Sequence, residues 1–279
     1  MNKVVLITGA SSGIGMTTSK MLLRAGYTVY CAARRTELMK ELEDLGGHPL
    51  YLDLTDDSSI QKCVQELLSA EGKIDILINN AGYASGGSLE EVEIEVAKRQ
   101  FDVNVFGLIR LTQLCTPSMR AQKSGRIINI SSMAGFFSTA FMGWYHAAKY
   151  SVEALSDALR NELKPFNIKV SIIEPGLTKT NWGIIAADSL LKESGNGDYK
   201  ENALRYANYY RANYNVNSNI SDPIVISKAI LHAVTSKKPK IRYKVGKYCK
   251  SFIFIRRHTP DSLFDFITNS IMSFSKKEK

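Results

Sequence analysis

The sequence predicts an α/β fold: one domain built on a doubly wound parallel sheet with helices on both faces. Three observations predict it. Short apolar runs alternate with helix-period segments from the N-terminus to Pro175. Each run is continuous rather than alternating, as in strands covered on both faces. A glycine-rich turn joins the first run to the first helical segment.

The elements follow in order. Val4–Thr8 is a buried-strand pattern, Gly13–Ala25 a helix ended by Gly26, and Thr28–Ala33 a second strand. Thr36–Leu45 reads as a helix closed by Gly46-Gly47, His48–Asp53 as a strand, and Ser58–Glu71 as a helix ended by Gly72. Ile74–Asn79 is a fourth strand. Helical pattern runs from Ile94 to Arg120 with a break expected near Gly107. Gly125–Ile130 is a fifth strand, Trp144–Leu163 a helix and Lys169–Glu174 a sixth strand. After Pro175 the alternation stops. Residues 181–220 are polar and tyrosine-rich, with a break at Ser194-Gly195-Asn196-Gly197, and are expected to form a substrate lid. Asp222 caps a helix with Pro223 in its first position, running to about Ser236. Ile241–Val245 is a candidate last strand. Residues 237–279 form a basic, aromatic extension. The chain divides into a cofactor-binding and catalytic core, 1–180, a lid, 181–220, and that extension.

Charge sharpens the division. The net charge of +9 lies wholly in residues 237–279, which hold twelve cations and three acids; the rest is balanced. A nucleic-acid binder would carry its basic face on the body of the fold, so that class is set aside. The apolar run near Met1 is too short for a secretion signal, and no stretch is long enough to span a bilayer. Cys31, Cys63, Cys115 and Cys249 form no CxxC pair, and the four histidines form no HxxxH pair. No metal site is expected, and the expected location is a reducing cytoplasm.

The turn after the first strand is Thr8-Gly9-Ala10-Ser11-Ser12-Gly13-Ile14-Gly15. Its glycines allow close backbone approach, and the helix N-terminus behind it offers free N–H groups to a pyrophosphate. The second strand ends in Arg34-Arg35 where an acid would hold a ribose 2′-hydroxyl. Paired guanidiniums suit a 2′-phosphate instead, which points to NADP(H). Asp53 and Leu54 would lie near the adenine. Asn80-Ala81-Gly82, Ser131-Ser132 and Pro175-Gly176 follow the fourth, fifth and sixth strands at the edge where open α/β sheets bind ligands. Asn104 lies among apolar residues and needs hydrogen-bond partners. Tyr145 and Lys149 stand one helical turn apart, where an ammonium would lower a phenol's pKa and make it a general acid/base.

Together TGASSGIG, NNAG, Asn104, Ser132, YHAAK and PGLTKT resemble the short-chain dehydrogenase/reductase family, in its single-domain branch and its hydroxysteroid- and retinol-dehydrogenase-like subset. The match covers roughly residues 3–180. The resemblance implies a Rossmann-type fold and hydride transfer at a carbonyl or alcohol. It implies Tyr145 as proton donor/acceptor, Ser132 on the substrate oxygen, Lys149 on the nicotinamide ribose and Asn104 in a proton relay through water. Thr180, and Thr178 in the same PGLTKT motif, would contact the nicotinamide end. It also implies a homodimer or homotetramer.

Phe136 and Trp182, among other aromatics near Ser132 and in the lid, suggest a lipophilic ketone or aldehyde. The alternative is a non-catalytic NADP(H)-binding regulatory protein; the intact Asn–Ser–Tyr–Lys set argues against it. For the extension the favoured reading is packing over the substrate entrance or a partner subunit. Its amphipathic run from Leu263 to Phe274 also permits a weak membrane-surface contact.

Overall fold

The computed structural model describes residues 2–214 and 218–273. Its centre is a seven-stranded, all-parallel sheet: β1 (Val4–Thr8), β2 (Thr28–Ala33), β3 (His48–Tyr51), β4 (Ile76–Asn79), β5 (Gly125–Ile130), β6 (Ile168–Pro175) and β7 (Arg242–Val245). The order is β3-β2-β1-β4-β5-β6-β7, so the winding direction reverses between β1 and β4. Such a switch point leaves a crevice beyond the strand C-termini.

The helices are α1 (Gly13–Arg24), α2 (Lys40–Asp44), α3 (Asp57–Glu71), α4 (Ile94–Phe101), α5 (Leu108–Ala121), α6 (Gly143–Leu163), α7 (Trp182–Ser194), α8 (Lys200–Asn213), α9 (Pro223–Thr235), α10 (Cys249–His258) and α11 (Asp261–Ser273). Leu22, Met39, Ile226 and Ile230, from α1, α9 and the turn before α2, pack with Val5, Ile7 and Val29 on one sheet face. Cys63, Leu67, Leu111, Cys115 and Leu163, from α3, α5 and α6, pack with Leu6 and Leu77 on the other. All five β1 residues are buried, which is why that strand reads as a continuous apolar run. The four cysteines are free and buried.

Several boundaries shift. β3 stops at Tyr51, because Asp53 turns the chain by accepting at Oδ1 from the Thr55 N–H at 2.9 Å. The segment expected as a helix over 36–45 begins as a 3₁₀ turn, Thr36–Met39. The break near Gly107 is a π-turn over Asp102–Gly107. There the chain passes so close to Leu54 that a Cβ on Gly107 would overlap the Leu54 carbonyl. The Asp222 cap accepts from Ile224 N–H at 2.8 Å, and α9 ends at Thr235. The segment expected as a lid forms α7 and α8, around a third apolar cluster that includes Leu190, Tyr206 and Tyr210.

The extension folds too, as α10 and α11. Phe252 and Phe264 meet the Phe137 ring at 5.6 and 5.5 Å between centroids, fixing both helices to the body. Phe274, Lys276, Lys277 and Lys279 lie outside the described residues. Among the described residues no helix is long and apolar enough to cross a membrane.

Candidate active site

A cavity of about 1090 Å³ opens along the C-terminal edge of the sheet. That exceeds the ~300–1,000 Å³ usual for one small ligand. It is lined by the glycine turn, Arg34, Arg35, the loops after β3, β4, β5 and β6, and then by α6, α7, α8, α10 and α11.

The glycine turn is built for close approach. Gly9 takes φ 68°, and a Cβ there would stand 2.9 Å from Ala81 Cα; a Cβ on Gly15 would overlap the Gly9 carbonyl. Gly15 therefore acts by letting α1 seat against the turn, while Gly9, Ser11, Ser12, Gly13 and Ile14 line the cavity. Ser12 is the N-cap of α1 and no side chain caps it, which leaves backbone N–H groups for an anion. Thr8 Oγ1 accepts from the N–H groups of Asn80 and Ala81 at 3.0 and 2.9 Å, and Asn80 Nδ2 donates to Thr8 O at 2.9 Å. Asn80 thus locks the turn, while Ala81 and Gly82 form cavity wall beside it. Thr180 closes the far side, its Cγ2 lying 3.2 Å from where a Gly13 Cβ would be. Among the described residues, neither Arg34 nor Arg35 forms an ion pair, and both line the cavity with Asp53 and Leu54. A cradle of N–H groups beside two guanidiniums fits a dinucleotide carrying a 2′-phosphate.

The polar centre is buried. Tyr145 and Lys149, on one face of α6, are 7% and 6% exposed. Lys149 Nζ donates to Ile130 O at 2.9 Å and lies 5.8 Å from the Tyr145 ring centroid. Ser132 Oγ accepts from Ala134 N–H at 3.1 Å, leaving its own O–H for another acceptor. Asn104 sits in the π-turn, buried; its Oδ1 accepts from Tyr83 N–H at 3.1 Å and its Nδ2 donates to Tyr83 O at 2.8 Å. That satisfies its side chain and braces the loop after β4. Pro175, Gly176 and Thr178 line the cavity below, with Thr178 Oγ1 donating to Gly176 O at 3.0 Å.

The electrostatics correct one expectation. Burial pushes the Tyr145 phenol up to about 12, with Ser132 and Trp182 pulling the other way. Burial dominates at Lys149 too, bringing that ammonium down to about 8 against the pull of Glu153. The phenol is therefore held protonated at neutral pH. His146, given no role on sequence grounds, also lines the cavity. Burial brings it down to about 4, so it is neutral, bonded to Ala134 O at 3.0 Å and Thr139 Oγ1 at 3.1 Å.

The end of the cavity beyond Tyr145 is aromatic. The Trp182 ring lies 5.1 Å from Tyr145 and 5.3 Å from Tyr214. Phe136, expected here, does not line the cavity; its ring lies 5.6 Å from Lys244 and 5.5 Å from Arg257. Phe137, the next residue, takes its place in the wall. Besides His146, lining residues that the sequence left without a site role include Tyr83, Thr139, Tyr248, Phe252, Thr268, Ile271 and Met272. The last five bring α10 and α11 into the wall at the aromatic end of the cavity.

The family model for short chain dehydrogenase matches residues 3–186. This chain belongs to the short-chain dehydrogenase family. Its relatives within that family include a probable short-chain type dehydrogenase/reductase VdlC of Helicobacter pylori, 34% identical over 99% of this chain and 100% of the relative. A 3-ketodihydrosphingosine reductase of Bacteroides thetaiotaomicron is 34% identical over 95% and 96% of the two chains. An NADPH-dependent 3-dehydrocapnine reductase of Ornithobacterium rhinotracheale is 34% identical over 95% of each. Among solved structures, a short-chain dehydrogenase from Streptomyces avermitilis superposes with TM-score 0.76 at 30% identity, covering 96% of each chain. A closed serine dehydrogenase complexed with NADP+ superposes at 0.74, with 28% identity, over 87% of this chain and 94% of that one. As a member of this family of oxidoreductases, the chain acts on CH–OH/C=O groups.

Proposed function

We propose that this chain is an NADP(H)-dependent reductase and dehydrogenase that interconverts a lipophilic carbonyl compound and its alcohol. The observation that carries the proposal is the continuity of one cavity: an anion cradle with paired arginines at one end, Tyr145, Ser132 and Lys149 at the centre, and an apolar aromatic chamber at the other. The nicotinamide, when bound, supplies or accepts the hydride. Tyr145, protonated at neutral pH, gives its O–H proton to the carbonyl oxygen as charge develops there. Ser132 donates to the same oxygen and so stabilises that charge. Lys149 and Asn104 hold the ribose side and the proton route back to solvent. Arg34 and Arg35 bind the 2′-phosphate, consistent with an NADPH-dependent relative and an NADP+-bound neighbour.

The substrate is read as a long, apolar ketone. The chamber lining of Phe137, Met142, Trp182, Ile185, Phe252 and Ile271 supports this, and two relatives are named for reducing 3-keto compounds. NADPH oxidation at 340 nm should be followed with a panel of aromatic, aliphatic and long-chain 3-keto substrates. Turnover of the long-chain ketones is expected. Tight NADPH binding with a flat trace across the panel would favour the non-catalytic reading instead.

Two features of assembly and location belong to the same reading. Phe106, in the π-turn before α5, and Tyr150, on α6, are 61% and 44% exposed on the helices through which the family resemblance implies a homodimer or homotetramer. Buried, unpaired cysteines suit a reducing cytoplasm. Phe254 and Phe266 stand out from α10 and α11 beside Lys250 and Arg257, and this supports a weak contact with anionic membrane.

A further inference from the structure

Behind Lys149 lies a charge cluster that the proposed chemistry does not use. Glu153 follows Lys149 by one turn of α6 and is buried. Arg242 of β7 reaches it from the sheet edge, with Nε 3.2 Å from Glu153 Oε2. The same Nε is 3.2 Å from Oε1 of Glu174, a wholly buried residue of β6, and Arg242 Nη2 is 2.7 Å from Asp157 Oδ2. Arg160 also pairs with Asp157. Lys244 and Arg257 act on Glu174 from β7 and α10, and Cys249 Sγ donates to the Glu174 carbonyl at 3.0 Å. Three carboxylates thus compete for one guanidinium.

The burial of these groups leaves conspicuous gaps. Among the described residues, both Glu174 carboxylate oxygens are buried without a hydrogen-bond partner, and Oε1 has only its ion pair with Arg242. Two adjacent buried carboxylates cannot both carry full charge on one guanidinium without a large desolvation cost, so one of them holds a proton. Burial raises both carboxyls, but Ser131 and Arg242 pull Glu153 back down, while Glu174 is pushed up to about 7 by burial and then by Glu153, so Glu174 is the one drawn toward the protonated form. Arg242 is then left to Glu153 and Asp157.

We propose that Glu153, clamped by Arg242, is a positioning residue that keeps Lys149 in its ammonium form. Glu174 is the neutral acid that leaves Arg242 available to hold it. The role rests on the reading of Lys149 as the residue that holds the nicotinamide ribose. Without Glu153, no other carboxylate of the cluster opposes the effect of burial on Lys149: Asp157 is paired with Arg242 and Arg160, Glu174 is neutral, and the hydrogen bond that Lys149 Nζ makes among the described residues goes to the uncharged Ile130 carbonyl.

The test is a pH titration of the Lys149 side-chain ¹³Cε resonance in ¹³C-lysine-labelled protein without added nucleotide. The wild-type midpoint is expected near the value of about 8 that burial sets. Glu153→Gln is expected to lower it by about one unit or more, the effect of removing a nearby opposite charge. Glu174→Gln is expected not to lower it. Glu153→Asp, which keeps the charge on a shorter stem, is expected to fall between, and it carries the test alone if the glutamine variant does not fold. An unchanged midpoint in Glu153→Gln, or in Glu153→Asp where that variant stands alone, overturns the proposal, as does an equal fall in Glu174→Gln. In the active enzyme the basic limb of the kcat/KM profile should move with the midpoint; a moved midpoint with a fixed limb also overturns the positioning role. An enzyme silent toward every carbonyl fails the reading of function and leaves the Lys149 midpoint to decide this one.

Discussion

At Tyr145 two effects meet, and burial is the larger. A phenol held near 12 is a proton donor at neutral pH, which suits carbonyl reduction. Tyr145→Phe is expected to bind NADPH as wild type does and to lose ~10²–10⁴-fold in kcat/KM, measured by stopped-flow nicotinamide absorbance. Arg34→Ala/Arg35→Ala is expected to weaken NADPH binding at least ~10-fold while leaving NADH nearly unaffected, because each charged hydrogen bond contributes ~1.5–3 kcal/mol. Titration calorimetry with both nucleotides checks it. These residues were legible in sequence because each sits at a fixed offset from a strand end or along one helix. Phe136 was misplaced for the opposite reason. The chain between Ser132 and Tyr145 carries adjacent phenylalanines, and which one faces inward depends on Lys244 and Arg257, far along the chain.

Among the elements, the strands and their order of appearance could be read from composition, since all-buried strands carry an unbroken apolar signature. The lid could not. Its helices bury Leu190 of α7 against Tyr206 and Tyr210 of α8 yet leave Ile184, Ile185 and Leu204 exposed, so no clean apolar stripe marked them in the sequence. The extension showed its amphipathic period in sequence and left its destination open between the substrate entrance and a partner subunit. Phe264, 2% exposed against Phe137, pins α11. Phe264→Ala is expected to cost ~3–5 kcal/mol locally. Much of that should appear as release of α11, with a raised KM for long ketones and little change in NADPH affinity. Hydrogen exchange confined to 249–273, together with KM for short and long substrates, checks it.

For the whole molecule, pH acts on two buried groups in opposite senses. His146, lowered to about 4 from 6.5, takes up its proton more readily when unfolded, so its contribution to stability is lost as pH falls through that interval. Glu174, raised to about 7 from 4.5, keeps its proton in the fold, so its contribution is lost as pH rises from 4.5 to 7. The two slopes offset each other in wild type. Glu174→Gln removes one, so its Tm should rise more steeply than wild type between about pH 4.5 and 6.5, as calorimetry across that range would show. The cluster to which Glu174 belongs was not legible in sequence, because its members come from α6, β6 and β7 and meet only when the sheet forms. On the same scale, co-sedimentation with phosphatidylglycerol vesicles should be weak, lost at high salt and reduced in Phe254→Ser/Phe266→Ser. Binding that ignores salt would remove the electrostatic part of the membrane reading.

The family signature ends at residue 186, yet the cavity wall continues through Phe252 to Met272. The two ends of the cavity are therefore walled by separate stretches of one chain. On the proposed reading, substitutions in the last helices would re-tailor which molecule is admitted without touching Tyr145. Two proteins with the same first two-thirds could then serve quite different metabolites, and grafting one terminus onto the other's body should move preference without disturbing the reaction.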